Sequence, residues 1–509
     1  MVGTGTGPGN GPGTGNSTGK RLQDLGFTTD SDVTISGICL DNRTLQQGDL
    51  FAALPGTVQH GAIYGLAAIE AGAAAILTDP AGAEIVKAAQ SQIPVPLIVV
   101  ETPKEALSRA AALFFAPQPE KMVAITGTNG KTSVATFCRQ IWTELDLAAV
   151  NIGTTGVEGA YTHPLRHTTP DAVTLHSVMQ RAAQAGVTHA AMEASSHGLD
   201  QRRLDGVQIV AAGFTNFTQD HLDYHDTFDA YFSAKARLFL DILPVDGAAV
   251  INTDDSKLAE FCEQLTQLGT RVITVGHNED ADLRILNQRF DGTGQDLRFA
   301  YAGKVYQTRL SLIGGFQAAN VMMAAALVIA AGAEPSHVFD TLSHLTTVRG
   351  RMEFAAERSN GATVFVDYAH TPDAIETAIT AFRPHVMGRL IAVIGAGGDR
   401  DKTKRPLMGQ AAAQTADIVI ITDDNPRSED PVSIRNMVRS GATGPADVIE
   451  VGDRAEAILH AVSMLEPSDG LLIMGKGHET GQIIGDDVFP FDDVEQASIA
   501  AAVLDGKIS

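Results

Sequence analysis

The sequence predicts an α/β protein of three domains: a small N-terminal α/β module, a central domain on a P-loop ATPase-type parallel sheet, and a C-terminal Rossmann-like doubly wound domain. Three observations lead there. A chain of 509 residues exceeds what one hydrophobic core fills, and at roughly 150 residues per domain three is the natural number. Short apolar strands alternate with helix-length segments over most of the chain, the pattern of strand–helix–strand units. An apolar run from Met122 also feeds Gly127-Thr128-Asn129-Gly130-Lys131-Thr132-Ser133 and then a helical pattern over 134–145, so a strand ends in a tight turn that opens a helix.

Taken in order, residues 1–20 are nearly all Gly, Thr, Pro, Asn and Ser and lack the apolar surface that offsets ordering entropy, which predicts a disordered tail. Residues 21–103 form the first module, with strands at 50–54 and 96–100 between Ala-rich helices, and Thr102-Pro103 closes it. Residues 104–348 form the central domain, with strands at 190–192, 207–214 and 248–251. Within it, 282–312 has period-two patterning around Asp291-Gly292-Thr293-Gly294, which predicts an antiparallel hairpin appended to the sheet. Residues 349–509 carry strands at 363–366, 390–394, 418–422 and 471–474, each followed by a loop and a helix. In such a sheet, ligands bind at the carboxyl ends of strands.

Composition narrows the function. Hydrophobic residues at 44% and charged residues at 19% are ordinary for a globular protein. A net charge of −23 argues against a nucleic-acid partner, because no broad cationic surface is on offer. Cys39, Cys138 and Cys262 are far apart and match no metal spacing, so they read as reduced cytoplasmic thiols. The longest apolar run, 321–333, is a buried helix too short to span a bilayer, and no export signal opens the chain. Neither membrane insertion nor export is expected.

The turn at 127–133 suits phosphate. Its small residues let backbone N–H groups approach anionic oxygens, and the helix N-terminus adds its positive end. Lys131 reaches terminal phosphates and the Thr132 hydroxyl ligates Mg²⁺. Ile125 stands where the longer nucleotide-binding pattern has Gly, so this is a shortened variant; an ordinary βα turn is the plain alternative. Glu193, in Glu193-Ala194-Ser195-Ser196-His197-Gly198, sits at a strand end, where a second Mg²⁺ ligand belongs or where a helix cap would do. Asp220-His221-Leu222-Asp223 follows another strand and suggests a metal or acid–base site, with helix capping by Asp220 as the alternative. Lys235, in Tyr231-Phe232-Ser233-Ala234-Lys235, reads from its residues alone as a solvated lysine.

The order of these clusters, followed by Asp367-Tyr368-Ala369-His370-Thr371-Pro372, resembles the Mur ligases, ATP-dependent amide-bond ligases of peptidoglycan synthesis. The likeness runs over nearly the whole chain after about residue 33. Gly397-Gly398-Asp399-Arg400-Asp401, Asp424-Asn425-Pro426-Arg427 and Gly475-Lys476-Gly477-His478-Glu479 are similar to the branch that joins a diamino acid to UDP-N-acetylmuramoyl-L-alanyl-D-glutamate. The resemblance implies ATP and Mg²⁺, small-molecule substrates and a monomer, with the first domain binding UDP.

Residue by residue, the resemblance implies that Lys131, Glu193, His221 and Lys235 are catalytic. Gly127, Thr128, Asn129, Gly130, Lys131, Thr132, Ser133, Asn320, Arg351 and Asp367 would meet ATP, with Asn320 on the adenine and His370 either beside them or simply buried. Thr132 and Glu193 would hold one Mg²⁺, and Glu193, His221 and carbamylated Lys235 the other. Leu40, Asn42, Thr168, Thr169, Ser195, Gln201 and Arg203 would bind the UDP-muramoyl dipeptide. Arg400, Asp424, Asn425, Pro426, Arg427, Gly475 and Glu479 would bind diaminopimelate. Three places depart from the family pattern: Asn42 for Ser, the segment Thr57-Val58-Gln59-His60, and Gln317 for Asn.

Arg427 discriminates between acceptors. Meso-diaminopimelate carries a distal carboxylate that a guanidinium can bind through two parallel bonds, whereas L-lysine ends in an ammonium alone. A plain Asn-Pro turn is the competing account of that loop. A lysine-adding ligase, a folylpolyglutamate-synthetase-like ligase and a non-catalytic nucleotide-binding regulator are the alternatives. The regulator requires broken catalytic positions, yet Lys131, Glu193, His221 and Lys235 are all present.

Overall fold

The computed structural model describes residues 19–56, 59–90, 92–165, 167–218, 224–225 and 227–507. Within them strands and helices alternate as the sequence predicts. Most of the Gly- and Thr-rich tail, 1–18, lies outside the described residues. The chain divides into two compact units, one holding the chain up to 122, 152–209 and 221–244, the other holding 123–151, 210–220 and 245–509.

The first unit contains a parallel sheet in the order Gly37–Cys39, Asp49–Ala52, Ala75–Thr78, Leu97–Val99. Leu50, Ala52 and Leu77 pack on one side with Leu22 and Ile35, while Phe51, Ala53 and Ile76 pack on the other with Val86. Both faces are covered, as a parallel sheet requires. The helix Pro103–Phe114 starts with proline, whose fixed φ suits a first turn. It sends Leu107, Ala110, Ala111 and Phe114 into that first core, so it packs with the module whose predicted end it follows.

Also in this unit are the strands His189–Glu193 and Gly156–Gly159. The helix Ser196–Asp200 is capped by the Ser195 hydroxyl, which accepts the Gly198 N–H at 3.1 Å. The helix Phe228–Arg237 is tied to it by Arg237, which donates to the Leu199 carbonyl at 2.9 Å and to Asp205 at 2.6 Å.

In the second unit the strand order is Lys304–Leu310, Gly294–Tyr301, Leu283–Asp291, Arg271–Gly276, Ala248–Asn252, Ala211–Phe214, Lys121–Thr126. The first three form an antiparallel meander, one strand more than the predicted hairpin. The strand expected over 207–214 begins only at Ala211; turns run through 201–206, where Arg202 and Gly206 take φ of 59° and 88°, and 207–210 join no strand. The helix Phe316–Ala330, buried as predicted, packs against Lys131–Glu144; Cys138 Sγ lies 3.8 Å from the Ala324 carbonyl.

The C-terminal sheet has the order Glu353–Glu357, Thr363–Asp367, Gly470–Met474, Leu390–Ala396, Ile418–Asp423, Asp447–Glu450, parallel except for its first strand. The four central strands match the predicted ones. The two edge strands and the hairpin Gly481–Ile484 with Asp487–Pro490 are additions; all are short, and the hairpin is largely exposed. Among the described residues no helix is long and apolar enough to cross a membrane.

One buried group makes stability depend on acidity. His176, in the helix Ala172–Gln184, is 2% exposed and donates through Nε2 to the Asp205 carbonyl at 3.3 Å. Burial holds its pKa down at about 4, against about 6.5 in an unfolded chain. Between those values the folded state binds fewer protons than the unfolded state, so stability falls as pH drops from about 6.5 towards 4. His176→Gln is expected to flatten that limb of a urea-stability curve measured against pH, and an unchanged slope would refute the assignment.

Candidate active site

In the second unit the strand Lys121–Thr126 delivers the loop Gly127–Gly130 to the first turn of Lys131–Glu144. Gly127 and Gly130 take φ of 143° and 85°, a region that penalises side chains. A Cβ on Gly127 would lie 1.9 Å from Thr215 Oγ1, and one on Gly130 would lie 2.5 Å from Asn320 Oδ1. The loop is braced by the segment after Ala211–Phe214. Asn216 accepts the Thr128 N–H on its carbonyl at 3.0 Å and the Asn129 N–H on its side chain at 2.9 Å, and Thr215 donates to the Asn129 carbonyl at 2.5 Å. Lys131 Nζ donates to the carbonyls of Gly127 and Thr128 at 2.8 and 2.7 Å. Thr132 is half-buried and Ser133 buried on the helix that follows. Asn320 is buried and donates to Gln317 at 3.1 Å. Asn216 belongs to the polar cluster that follows this strand, where the sequence pointed to the carboxylates and imidazoles and gave the amide no role.

In the first unit Glu193 ends its strand at 2% exposure and accepts the Thr154 N–H at 2.7 Å. A Cβ on Gly153 would fall 2.0 Å from Glu193 Oε1. Thr169 donates to the Glu193 carbonyl at 2.9 Å and accepts the Ser195 N–H at 3.1 Å; Thr168 meets Thr154 hydroxyl to hydroxyl at 3.0 Å. Arg203 donates to the Thr169 carbonyl and to Gln201, each at 2.6 Å, and Gln201 donates to the Tyr224 hydroxyl at 3.1 Å. Burial raises the Tyr224 pKa. Five predicted residues, Thr168, Thr169, Ser195, Gln201 and Arg203, are thus brought together.

Leu40, Gln201, Arg203 and Tyr224 line one cavity of about 550 Å³ with Lys104 and Asp171. Asn42 is half-buried next to Asp41, which binds the exposed Arg43.

Lys235 is not solvated. It is 1% exposed in Phe228–Arg237, with Nζ 4.6 Å from the centroid of the Tyr231 ring. Its helix is folded against Ser196–Asp200, which a reading of local residues could not foresee. His221, with Asp220 and Asp223, lies outside the described residues, as do Thr57 and Val58.

At the C-terminal sheet the unusual residues gather where strands end. Asp424 and Asn425 are buried, and Gly475, at φ 118°, lets Asp424 Oδ2 approach to 2.5 Å of where its Cβ would be. Asn425 donates to Glu479 at 2.8 Å, while buried Lys476 donates to Asn425 and Glu479 at 3.1 and 3.3 Å. Arg427, half-buried at φ 50°, donates to the Gly398 carbonyl at 2.9 Å. Pro426 is buried against Gly398, where a Cβ would lie 1.8 Å from the Pro426 carbonyl oxygen. Arg400 is exposed and shares the Gly397 neighbourhood with Arg427. Lys476 is the residue here that the sequence reading missed.

Asp367 accepts the N–H groups of Met352 and Ala369 at 2.9 and 2.8 Å; burial raises its pKa against the pull of Arg351. Arg351 stacks 4.9 Å above the Tyr368 ring. His370 is exposed, not buried.

Three family models match in succession: Mur ligase family, catalytic domain, over 34–115; Mur ligase middle domain over 125–328; and Mur ligase, glutamate ligase domain, over 350–477. The chain is 48% identical over 474 residues to the UDP-N-acetylmuramoyl-L-alanyl-D-glutamate--2,6-diaminopimelate ligase of Bradyrhizobium diazoefficiens, covering 92% of this chain and 95% of that one. The ligase of the same name from Caulobacter vibrioides is 47% identical over 496 residues, with 96% and 99% covered. A solved structure of such a diaminopimelate ligase matches at TM-score 0.71 and 30% identity, over 96% of this chain and 99% of that one. The MurF ligase of Thermotoga maritima in complex with ADP shares the fold, at TM-score 0.59 and 16% identity, over 92% and 98%.

The loop geometry makes Gly130→Ala informative. A side chain at that φ costs roughly 1–3 kcal/mol and collides with Asn320. ADP affinity, measured by calorimetry, is expected to fall about tenfold or more, and wild-type affinity would refute the role given to the turn.

Proposed function

The chain belongs to the Mur ligase family, and we propose that it joins meso-2,6-diaminopimelate to the γ-carboxylate of the D-glutamyl residue in UDP-N-acetylmuramoyl-L-alanyl-D-glutamate, using ATP. The observation that carries the acceptor assignment is Arg427. Its guanidinium is held at a strand-end rim by the Gly398 carbonyl, beside Arg400 and close to the Asp424, Asn425 and Glu479 cluster. Two guanidiniums suit the carboxylates of a two-headed amino acid, and Asp424 and Glu479 suit its distal ammonium. L-lysine would leave Arg427 without its carboxylate, so the site discriminates by an unmet pairing.

In the proposed reaction ATP phosphorylates the γ-carboxylate to an acyl phosphate. The acceptor's neutral amino nitrogen attacks the acyl carbon and gives up one proton, and phosphate leaves the tetrahedral intermediate as the amide forms. The protein's part is positioning and charge neutralisation. Lys131, now on two neutral carbonyls, would exchange them for phosphate oxygens. The N–H groups of 127–133 would cradle the phosphates, with Asn320, Arg351 and Asp367 completing the ATP contacts. Thr168, Thr169, Ser195, Gln201 and Arg203 would grip the dipeptide carboxylate and amide groups, and Leu40 and Asn42 the UDP end.

The donor chemistry fits Mg²⁺. Thr132 offers a hydroxyl and Glu193 a carboxylate with room made by Gly153, both hard oxygen ligands. An ammonium at 235 would repel a cation. The neutral amine of Lys235 can add CO₂ with loss of one proton, giving an N-carboxylate that donates oxygen instead. We assign Lys235 that modification and, with His221, a share in holding Mg²⁺. When bound, the ion neutralises phosphoryl oxygens.

Incubating the protein with ATP, Mg²⁺ and the UDP-muramoyl dipeptide tests the proposal. Phosphate release is expected with meso-diaminopimelate, and kcat/KM for L-lysine should be at least about a hundredfold lower. No release with either acceptor would overturn the ligase reading, and equal turnover would overturn the acceptor assignment. Lys131→Ala should cost about a thousandfold in kcat, with wild-type turnover excluding its role on the phosphates.

A further inference from the structure

The two guanidiniums of the acceptor site stand on different loops, and something must fix their separation. Arg400 belongs to the loop after Leu390–Ala396, and Arg427 to the loop after Ile418–Asp423. Neither loop is regular, and each holds a non-glycine residue in left-handed backbone: Asp399 at φ 53° and Arg427 at φ 50°. Such conformations persist only where surrounding contacts impose them.

Glu429 supplies the imposing contacts. Arg405 is fully buried and faces it fork to fork, with Nη1 to Oε2 at 3.0 Å and Nη2 to Oε1 at 2.8 Å, and Nη2 also donates to the Gly397 carbonyl at 3.1 Å. Glu429 Oε1 accepts the Asp399 N–H at 2.6 Å, and Lys402 lies 3.1 Å from Oε2. Asp399 accepts the Ser428 hydroxyl at 2.6 Å and its N–H at 3.2 Å, while the Gly398 N–H donates to the Asn425 carbonyl at 2.9 Å. The first loop is thereby sewn to the second along 397–399 and 425–429. Both carboxylate oxygens of Glu429 are engaged inside the protein, so it has none directed at a ligand. The Arg405 guanidinium holds the Glu429 carboxyl well below the usual carboxylate range, which keeps the brace charged at any working pH.

We infer that Glu429, locked by Arg405, is a positioning residue that sets the spacing of Arg400 and Arg427 and so the preference for an acceptor with a distal carboxylate. The inference rests on the function proposed above. A loosened brace lets Arg427 drift relative to Arg400, and a bidentate carboxylate site is sensitive to displacements of an ångström. The phosphate loop, carried by another sheet, is untouched.

Steady-state kinetics of the full-length Glu429→Gln and Ser428→Ala variants test this, varying meso-diaminopimelate, L-lysine and ATP in turn. Glu429→Gln leaves the buried Arg405 without its anion and is expected to raise KM for meso-diaminopimelate about tenfold, with KM for ATP and kcat at saturation close to wild type. The ratio of kcat/KM for meso-diaminopimelate to that for L-lysine should fall with it. Ser428→Ala, at the surface, keeps the fold and should raise the same KM about threefold, so it carries the test if Glu429→Gln does not fold. An active wild type with both constants unmoved in Ser428→Ala overturns the positioning role alone. An equal rise in the KM for ATP would make the pair merely structural and overturn it too. A wild type idle with meso-diaminopimelate overturns the parent proposal, and this one with it.

Discussion

An ionised side chain withdrawn from water must find partners, or it destabilises the fold by several kcal/mol. That requirement governs the chemistry-bearing residues of this chain. Glu193, Arg405 and Lys476 are at most 2% exposed. Glu193 takes a backbone N–H, Lys476 takes Asn425 and Glu479, and Arg405 takes Glu429 and a carbonyl. Groups held this way are already oriented before a ligand arrives, which is the condition for electrostatic catalysis without reorganisation. The partners are mostly loop backbone and neighbouring side chains, so loop conformation and charge placement are one problem.

Parallel sheets solve that problem by ending their strands at one rim. Lys121–Thr126 ends at the glycine turn 127–130, His189–Glu193 at a carboxylate, and Ile418–Asp423 and Gly470–Met474 at the cluster of Asp424, Asn425, Lys476 and Glu479. Each strand is anchored by buried apolar side chains, and polar residues gather at its end and just past it. The buried pair Arg454 and Asp493 works in the same place: Arg454 also donates to the Asp423 and Met474 carbonyls, at 3.3 and 3.1 Å. Those are the last residues of the two strands that lead into the loops at 424–429 and 475–480, so the helix Asp493–Leu504 is coupled to the rim through one guanidinium.

Much of this was legible in the sequence because its cause is local. The turn at 127–133 needs glycine at 127 and 130 for their backbone angles, and the central strands of the C-terminal sheet are continuous apolar runs. Lys235 was illegible because its burial depends on a helix packing against residues some forty positions earlier. Lys476 and Glu429 were passed over for a similar reason: Lys476 has a partner at 425 on another loop, and Glu429 has partners at 399 on another loop and at 405 on a helix. The third strand of the meander, 304–310, has alternating polar residues that suit an exposed edge as well as a loop. What the sequence hides is charge pairing at a distance.

Arg427 shows why such pairing brings strain with it. Its N–H donates to the Ile483 carbonyl at 3.1 Å and its own carbonyl accepts the Gly485 N–H at 2.8 Å, so the residue is bridged to the hairpin Gly481–Ile484 as a strand would be. Its side chain, however, reaches the other way, to the Gly398 carbonyl on a separate loop. An extended residue at this point would keep the bridge and lose the reach. The left-handed φ of 50° serves both, at a conformational cost that an arginine bears only where contacts on either side impose it. Hairpin, arginine and neighbouring loop are therefore one mechanical element, and a change in any of them is felt where the guanidinium ends.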